Sequence, residues 1–306
     1  MSALAPTTGA TASPAYRTGR VGVVSLGLIG GSFARALHKG GREVLAWNRT
    51  HATTELAMVE TIDGELTDDA IGTCELVILA GYPQMSVDWL TEKAPLVAPG
   101  AIVIDAVGVK ERVCERCFAI AGDKPFTFVG CHPMAGTQYS GFAHSRADMF
   151  VGAPMVVCPP PDMDDFERAD LLERLTWLLE PCGFGSYTLF SPERHDELIA
   201  YTSQLAHVVS NAYVKSPSAQ SHHGISAGSY KDLTRVARLN ATMWTELFLD
   251  NADNLSRELG CIIESLQDYK DAIDGGDAGR LHDLLAEGDR LKRKAEREDE
   301  RGGERP

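Results

Sequence analysis

A chain of 306 residues, 44% of them hydrophobic and 24% charged, is long enough for about two globular domains with cores of their own. The formal net charge of -14 excludes a broad basic face for nucleic acid or an anionic membrane, yet leaves room for one cationic pocket that takes a small anionic substrate. Seven scattered cysteines, an odd number, and the lack of any apolar run near the ~18 residues that span a bilayer point to a cytoplasmic protein without a disulfide framework.

Residues 1–19, rich in Ala, Thr and Pro and without an apolar segment, read as a disordered leader. From 20 to 160, short Val- and Ile-rich runs ("VGVVSL", "EVLAWN", "LVILAG", "AIVIDA", "FTFVG", "APMVVC") alternate with helical patterns such as "GSFARALHKGG" and "VKERVCERCFAIAG". The runs lack polar alternation, as strands buried on both faces of a parallel sheet do, so this part is expected to be an α/β, Rossmann-type doubly wound domain. Its first turn, "SLGLIGG", puts Gly27 and Gly30 in the second and third places of a dinucleotide fingerprint, with Ser25 in the first. Gly27, Leu28, Ile29 and Gly30 are therefore the expected pyrophosphate cradle at a helix N-terminus. The second strand ends in Asn48-Arg49-Thr50. An acid there selects NAD through the ribose 2′-hydroxyl, whereas Asn48 carries no charge against a 2′-phosphate and Arg49 can pair with it, so the cofactor reads as NADP before NAD. Cys114 and Cys117 form a C-x-x-C inside a helical pattern with no second pair to complete a metal site. The stretch "CHPMAGTQ" then sets His132 on a short Pro- and Gly-bounded loop.

"CPPPDMDD" reads as a linker. Beyond it, residues 161–297 show helical periodicity in "FERADLLERLTWLLEPCG", "SPERHDELIAYTSQLAHVVSNAYV" and "ATMWTELFLDNADNLSRELGCIIESLQDYKDAI", with "GSYTLF" as a possible last strand at the junction. This all-helical C-terminal part carries longer apolar stripes than one helical layer can bury, which implies a homodimer. Residues 298–306 read as a disordered, charged tail. Lys231, Arg235 and Arg238 follow at i, i+4 and i+7, one face of a helix, and offer cations to a substrate. No metal site is expected, and the adjacent His222 and His223 complete none.

In this order and at these separations, "GLIGGS", "DAVGVK", "HPMAGT" and "YKDLTRVA" resemble the TyrA-type prephenate dehydrogenase family from about residue 21 to 295. The resemblance implies oxidative decarboxylation of a dianionic cyclohexadienyl acid: hydride leaves C4 for a nicotinamide and CO2 leaves C1. It implies that His132 is the catalytic histidine, that Arg235 and Lys231 bind the two carboxylates, and that Asp232 shapes the entrance. Trp244 matches an aromatic by the pocket, and His195 and His207 match histidines that reach toward the cleft. Three positions depart from the family pattern: Gly108 replaces a serine that contacts the substrate 4-hydroxyl, Gln138 a glutamate, and Gln204 a histidine. These losses leave open prephenate, with 4-hydroxyphenylpyruvate as product, and its 4-amino-4-deoxy analogue, which some members convert to 4-aminophenylpyruvate for antibiotic biosynthesis. Arogenate is the other alternative within the family. Outside it stand a 6-phosphogluconate-type β-hydroxyacid dehydrogenase and a non-catalytic NADP-binding regulator.

Overall fold

The structure, a computed structural model, describes residues 19–303 apart from 138, 223 and 226. The leader, except Gly19, and Gln138 and His223 thus lie outside the described residues. The chain divides into two compact units, residues 1–252 and 253–306.

The first unit is built on an eight-stranded sheet in the order β3-β2-β1-β4-β5-β6-β7-β8. Its strands are β1 (Val21–Val24), β2 (Val44–Trp47), β3 (Gly64–Glu65), β4 (Leu76–Leu79), β5 (Ile102–Asp105), β6 (Thr127–Pro133), β7 (Pro154–Cys158) and β8 (Ser186–Leu189). Helices α1 (Leu28–Lys39), α2 (His51–Glu60), α3 (Asp68–Ile71), α4 (Pro83–Lys93), α5 (Glu111–Ala121) and α6 (Asp165–Leu179) connect them. Alternate strand residues enter two separate cores. Val21, Val23, Ile78 and Ile104 pack with Phe33 and Leu37 of α1 and Leu175 of α6 on one face. Val24, Val77 and Val103 pack with Leu90 of α4 and Val113 of α5 on the other. Burial on both faces is why these strands are apolar at every position.

Two features depart from the sequence-based expectation. β7 runs antiparallel to β6, pairing Val156 with His132, so His132 lies within a strand rather than on a loop. The sheet also continues past Pro160: the capped helix α6 packs Leu171, Leu175 and Leu178 into the first core, and the strand expected in "GSYTLF" forms as β8 beside β7. The apolar face of α6 is therefore spent on the sheet, and not within the helical part to which periodicity alone gave it.

The remaining helices of this unit are α7 (Pro192–Ile199), α8 (Ala206–Tyr213), α9 (Gly228–Thr234) and α10 (Ala241–Asp250), with a π-helical turn, Ala200–Leu205, joining α7 to α8. The helix expected over 241–273 breaks at Asn251, whose side-chain amide donates to the Asp196 carbonyl and to Gln204 Oε1. The second unit is a helical pair, α11 (Ala252–Asp274) and α12 (Ala278–Gly303), within which Tyr269 bonds the Leu284 carbonyl at 3.2 Å and Arg280 pairs with Asp268. α12 runs past residue 298, where the charged tail was expected to begin.

The glycine turn shows why the fingerprint has glycines. A Cβ on Gly30 would sit 1.9 Å from the Ser25 carbonyl oxygen, whereas one on Gly27 meets nothing within 4 Å. Ser25 takes φ 77°, the left-handed region that glycine enters without strain. Ser25→Gly should therefore raise stability by about 0.5–1 kcal/mol and Gly30→Ala lower it by about 3 kcal/mol, both read from urea denaturation midpoints. An unchanged midpoint for Ser25→Gly would show that the turn carries no strain.

Candidate active site

Strand β5 ends in Asp105, and the loop that follows returns Lys110 beneath it. Both side chains are sealed from water, and the Lys110 ammonium donates to Asp105 Oδ2. Burial pushes the Lys110 pKa down, but its anionic neighbours, Asp105 first among them, more than offset this and the net shift is upward. Asp105 also accepts the Val107 N–H at 3.1 Å and, through Oδ1, the Cys131 N–H of β6 at 3.0 Å. One carboxylate thus fixes the 106–109 loop against the strand that carries His132.

From the other side comes α7. Asp196 accepts the N–H groups of Lys110 and Glu111 at 2.8 and 2.9 Å, capping α5 from outside the helix. Its Oδ1 also lies 2.7 Å from His195 Nδ1, and His195 Nε2 lies 2.9 Å from His132 Nδ1. The rings of His132 and His195 meet edge to face with centroids 5.1 Å apart. His195, 2% exposed, bonds His132 through Nε2 and also lines an apolar cleft with Met134 and Ile199. Burial, the neighbouring His195 and the charge of Lys110 hold the His132 pKa well below the ordinary histidine value. Burial also lowers that of His195, with the bond to Asp196 working against it.

The far nitrogen of His132, Nε2, lies beside Gly108. A Cβ on Gly108 would lie 4.0 Å from Nε2 and 3.6 Å from Leu247 of α10. Among the described residues, none hydrogen-bonds Nε2. Gln204 does not supply a polar group here. It sits in the π-helical turn, 1% exposed, donating to the Leu247 carbonyl at 2.9 Å and accepting from Asn251. Replacing the family's histidine, it fastens α10 and so places Leu247.

A second cluster lies along α8, α9 and α10. His207 stacks on Trp244 with centroids 4.1 Å apart, and its Nδ1 donates to the Ser203 carbonyl at 2.8 Å. Burial lowers the His207 pKa, the Ser203 bond opposes this, and the nearby charge of Arg235 lowers it further. Arg235 ends α9, and Lys231 and Asp232 stand exposed on that helix. Arg238 does not continue their face, because α9 stops at Thr234 and the chain turns before Asn240 caps α10.

At the cofactor end, Gly27 opens α1 without any side-chain cap, leaving the first-turn N–H groups of Leu28 and Ile29 directed outward. With the open space at Gly27, this turn fits a pyrophosphate. Asn48 Oδ1 accepts the Leu26 N–H at 2.9 Å and its amide donates to the Thr50 carbonyl, so Asn48 braces the turn while Arg49 is exposed beside it. The segment after His132 returns to the same helix, where Arg146 N–H bonds Ser32 Oγ at 3.0 Å.

Asp105, Lys110, Asp196 and Leu247 carry this geometry, yet none stood out from the sequence. The available signal was a pair of opposite charges closing an unbroken apolar strand in "IVIDAVGVK".

Comparisons with known proteins place the chain further. Residues 33–184 match the model of the prephenate dehydrogenase nucleotide-binding domain, and residues 191–287 match that of the prephenate dehydrogenase dimerization domain. Cyclohexadienyl dehydrogenase of Zymomonas mobilis is 27% identical over 284 residues, covering 89% of this chain and 94% of that protein. The crystal structure of Synechocystis arogenate dehydrogenase is similar at 28% identity and a TM-score of 0.73, covering 89% of this chain and 99% of that one. Prephenate dehydrogenase from A. aeolicus, in complex with hydroxyphenyl propionate and NAD+, is 26% identical with a TM-score of 0.76, covering 90% and 97%.

Removing the Lys110 ammonium strands a buried carboxylate. Lys110→Met should cost about 3–5 kcal/mol of stability by chemical denaturation. A loss below about 1 kcal/mol would mean that the pair is not the clamp the geometry makes it.

Proposed function

The chain belongs to the prephenate dehydrogenase family of oxidoreductases, and we propose that it oxidatively decarboxylates a prephenate-type cyclohexadienyl acid with NAD(P). The observation that carries this reading is His132: it is neutral at ordinary pH, and its Nε2 is turned to a space walled by Gly108 and Leu247. When bound, the nicotinamide supplies the hydride acceptor. As hydride leaves C4, positive charge builds on the carbon and its substituent, and loss of a proton from that substituent relieves it. His132 Nε2 takes this proton. Loss of CO2 from C1 then leaves its bonding electrons in the ring, and the C4 heteroatom takes the proton back from His132 as the ring becomes aromatic.

Arg235 binds the ring carboxylate through its planar fork, and Lys231 the side-chain acid, with Asp232 at the entrance and His207 and Trp244 along the wall. Gly27, Leu28, Ile29 and Gly30 receive the pyrophosphate. Arg49, with Asn48 and Thr50, favours the 2′-phosphate of NADP, because Asn48 is engaged at Leu26 and offers no carboxylate to a ribose hydroxyl. The match to a dimerization domain supports a homodimer. No helix among the described residues is long and apolar enough to cross a membrane.

A second reading of the C4 group rests on Gly108. Without a hydroxyl beside Nε2, the pocket gives a 4-hydroxyl substrate no extra partner, and a 4-amino group fits the same space with His132 as its acceptor. Prephenate and 4-amino-4-deoxyprephenate are thus the two candidate substrates.

His132→Asn should lower kcat by roughly 10²–10⁴-fold while NADPH binding, followed by the fluorescence of its reduced nicotinamide, stays unchanged. An unaltered kcat would remove His132 from the chemistry. Side-by-side turnover of prephenate, arogenate and 4-amino-4-deoxyprephenate with NADP and with NAD should favour NADP and a C4 pair over arogenate. In the same assay Gly108→Ser should raise the prephenate to amino-substrate ratio of kcat/KM by roughly tenfold. Turnover of none of the three acids would overturn the reading.

A further inference from the structure

Asp196 and His195 belong to neither a substrate contact nor a cofactor contact, yet they sit in line behind His132. An ionised carboxylate only accepts hydrogen bonds, so the 2.7 Å contact to Asp196 Oδ1 makes His195 Nδ1 the donor. In a neutral imidazole the other nitrogen then accepts. His195 Nε2 is the acceptor in the 2.9 Å contact, and His132 Nδ1 must carry the hydrogen. This leaves His132 Nε2 with a bare lone pair on the side of Gly108. The order of bonds sets the tautomer, and a backbone anchor sets the order: Asp196 cannot turn away without releasing the N–H groups of Lys110 and Glu111.

We propose that His195 is a positioning residue for the reaction, holding His132 in its Nδ1–H tautomer, so that the charge that develops on His132 lies in line with the Asp196 carboxylate. The inference rests on the functional reading for its kinetic part only. In the step itself, the proton released by the C4 substituent binds His132 Nε2, and the hydride from C4 goes to the nicotinamide cofactor. His132 then carries hydrogen on both nitrogens, and its positive charge is offset by Asp196 across the His195 ring. Asp196 stays ionised, as the carboxylate does when it orients a catalytic histidine elsewhere. The charged groups about this pair are Asp196 and Lys110, with Asp105 beyond, two carboxylates against one ammonium.

A cleft of about 250 Å³ gives access to His195 from behind. Met134, Val156, Phe190 and Ile199 line it, with exposed Thr188 and Thr202 at its rim. The space is apolar and holds a single imidazole ring, which makes chemical rescue feasible once the His195 side chain is removed.

The test has two arms. In ¹⁵N-histidine NMR of the full chain without substrate, the His132 signals, assigned by their loss in His132→Asn, should show hydrogen on Nδ1 and a bare Nε2. That pattern should be lost in His195→Ala. In turnover assays His195→Ala should lower kcat by roughly 10²-fold with KM changed far less, and added imidazole should restore part of it. His195→Gln, whose amide oxygen accepts the same hydrogen bond, should retain more activity than His195→Ala and the Nδ1–H tautomer. Hydrogen on Nε2 of His132 in the unaltered protein would overturn the proposal whatever the substrate is. So would a wild-type kcat in His195→Ala. If no cyclohexadienyl acid turns over, the functional reading fails, and the NMR arm still decides the tautomer; should His195→Ala not fold, wild type and His195→Gln decide it.

Discussion

A carboxylate and an ammonium sealed together inside an α/β sheet set the geometry of this protein. Asp105 ends an apolar strand, and because it cannot reach water its charge must be met by protein groups: the Lys110 ammonium and the N–H groups of Val107 and Cys131. These bonds join the end of β5, the loop that carries Gly108 and the strand that carries His132. Such a pair adds little net stability over a well-packed apolar core, but it tolerates one arrangement of its neighbours.

The catalytic geometry follows from that constraint. Lys110 has two roles: its side chain holds Asp105, and its backbone N–H holds Asp196 on α7. Asp196 in turn orients His195, and His195 meets His132. Asn251 and Gln204 tie the same helix and the π-helical turn to α10, so that Leu247 closes the space at His132 Nε2. A π-helical turn inserts an extra residue into the helical repeat, and here it turns Gln204 inward to reach both partners. The neutral state of His132 is a product of this enclosure, since burial disfavours its charged form while the Lys110 charge adds to the effect.

Cofactor turn and reacting histidine are mechanically linked as well. A Cβ on Gly31 would lie 2.7 Å from Phe142 and 2.8 Å from Ser145, so the segment that follows His132 lies hard against α1. The glycine thus serves packing as much as the turn itself. The start of α1 and the end of β6 are held at a fixed separation by this contact.

The strands, the glycine turn and the order of motifs were legible in the chain, because each is a local signal: apolar runs follow from two-sided burial, and glycines from a turn in which no side chain fits. The Asn48 brace, the inward Gln204, the break at Asn251 and the end of the cationic face before Arg238 were not. Each depends on which groups meet across long separations, such as Asn251 with Asp196 or Lys110 with Asp196. Periodicity reads which residues are apolar, and it carries no information on which buried polar groups pair. Residue type thus marked His132 and the cations of α9 as candidates. Only the tertiary structure decided which nitrogen of His132 is held by protein, because that choice belongs to Asp196 and His195 on a different helix.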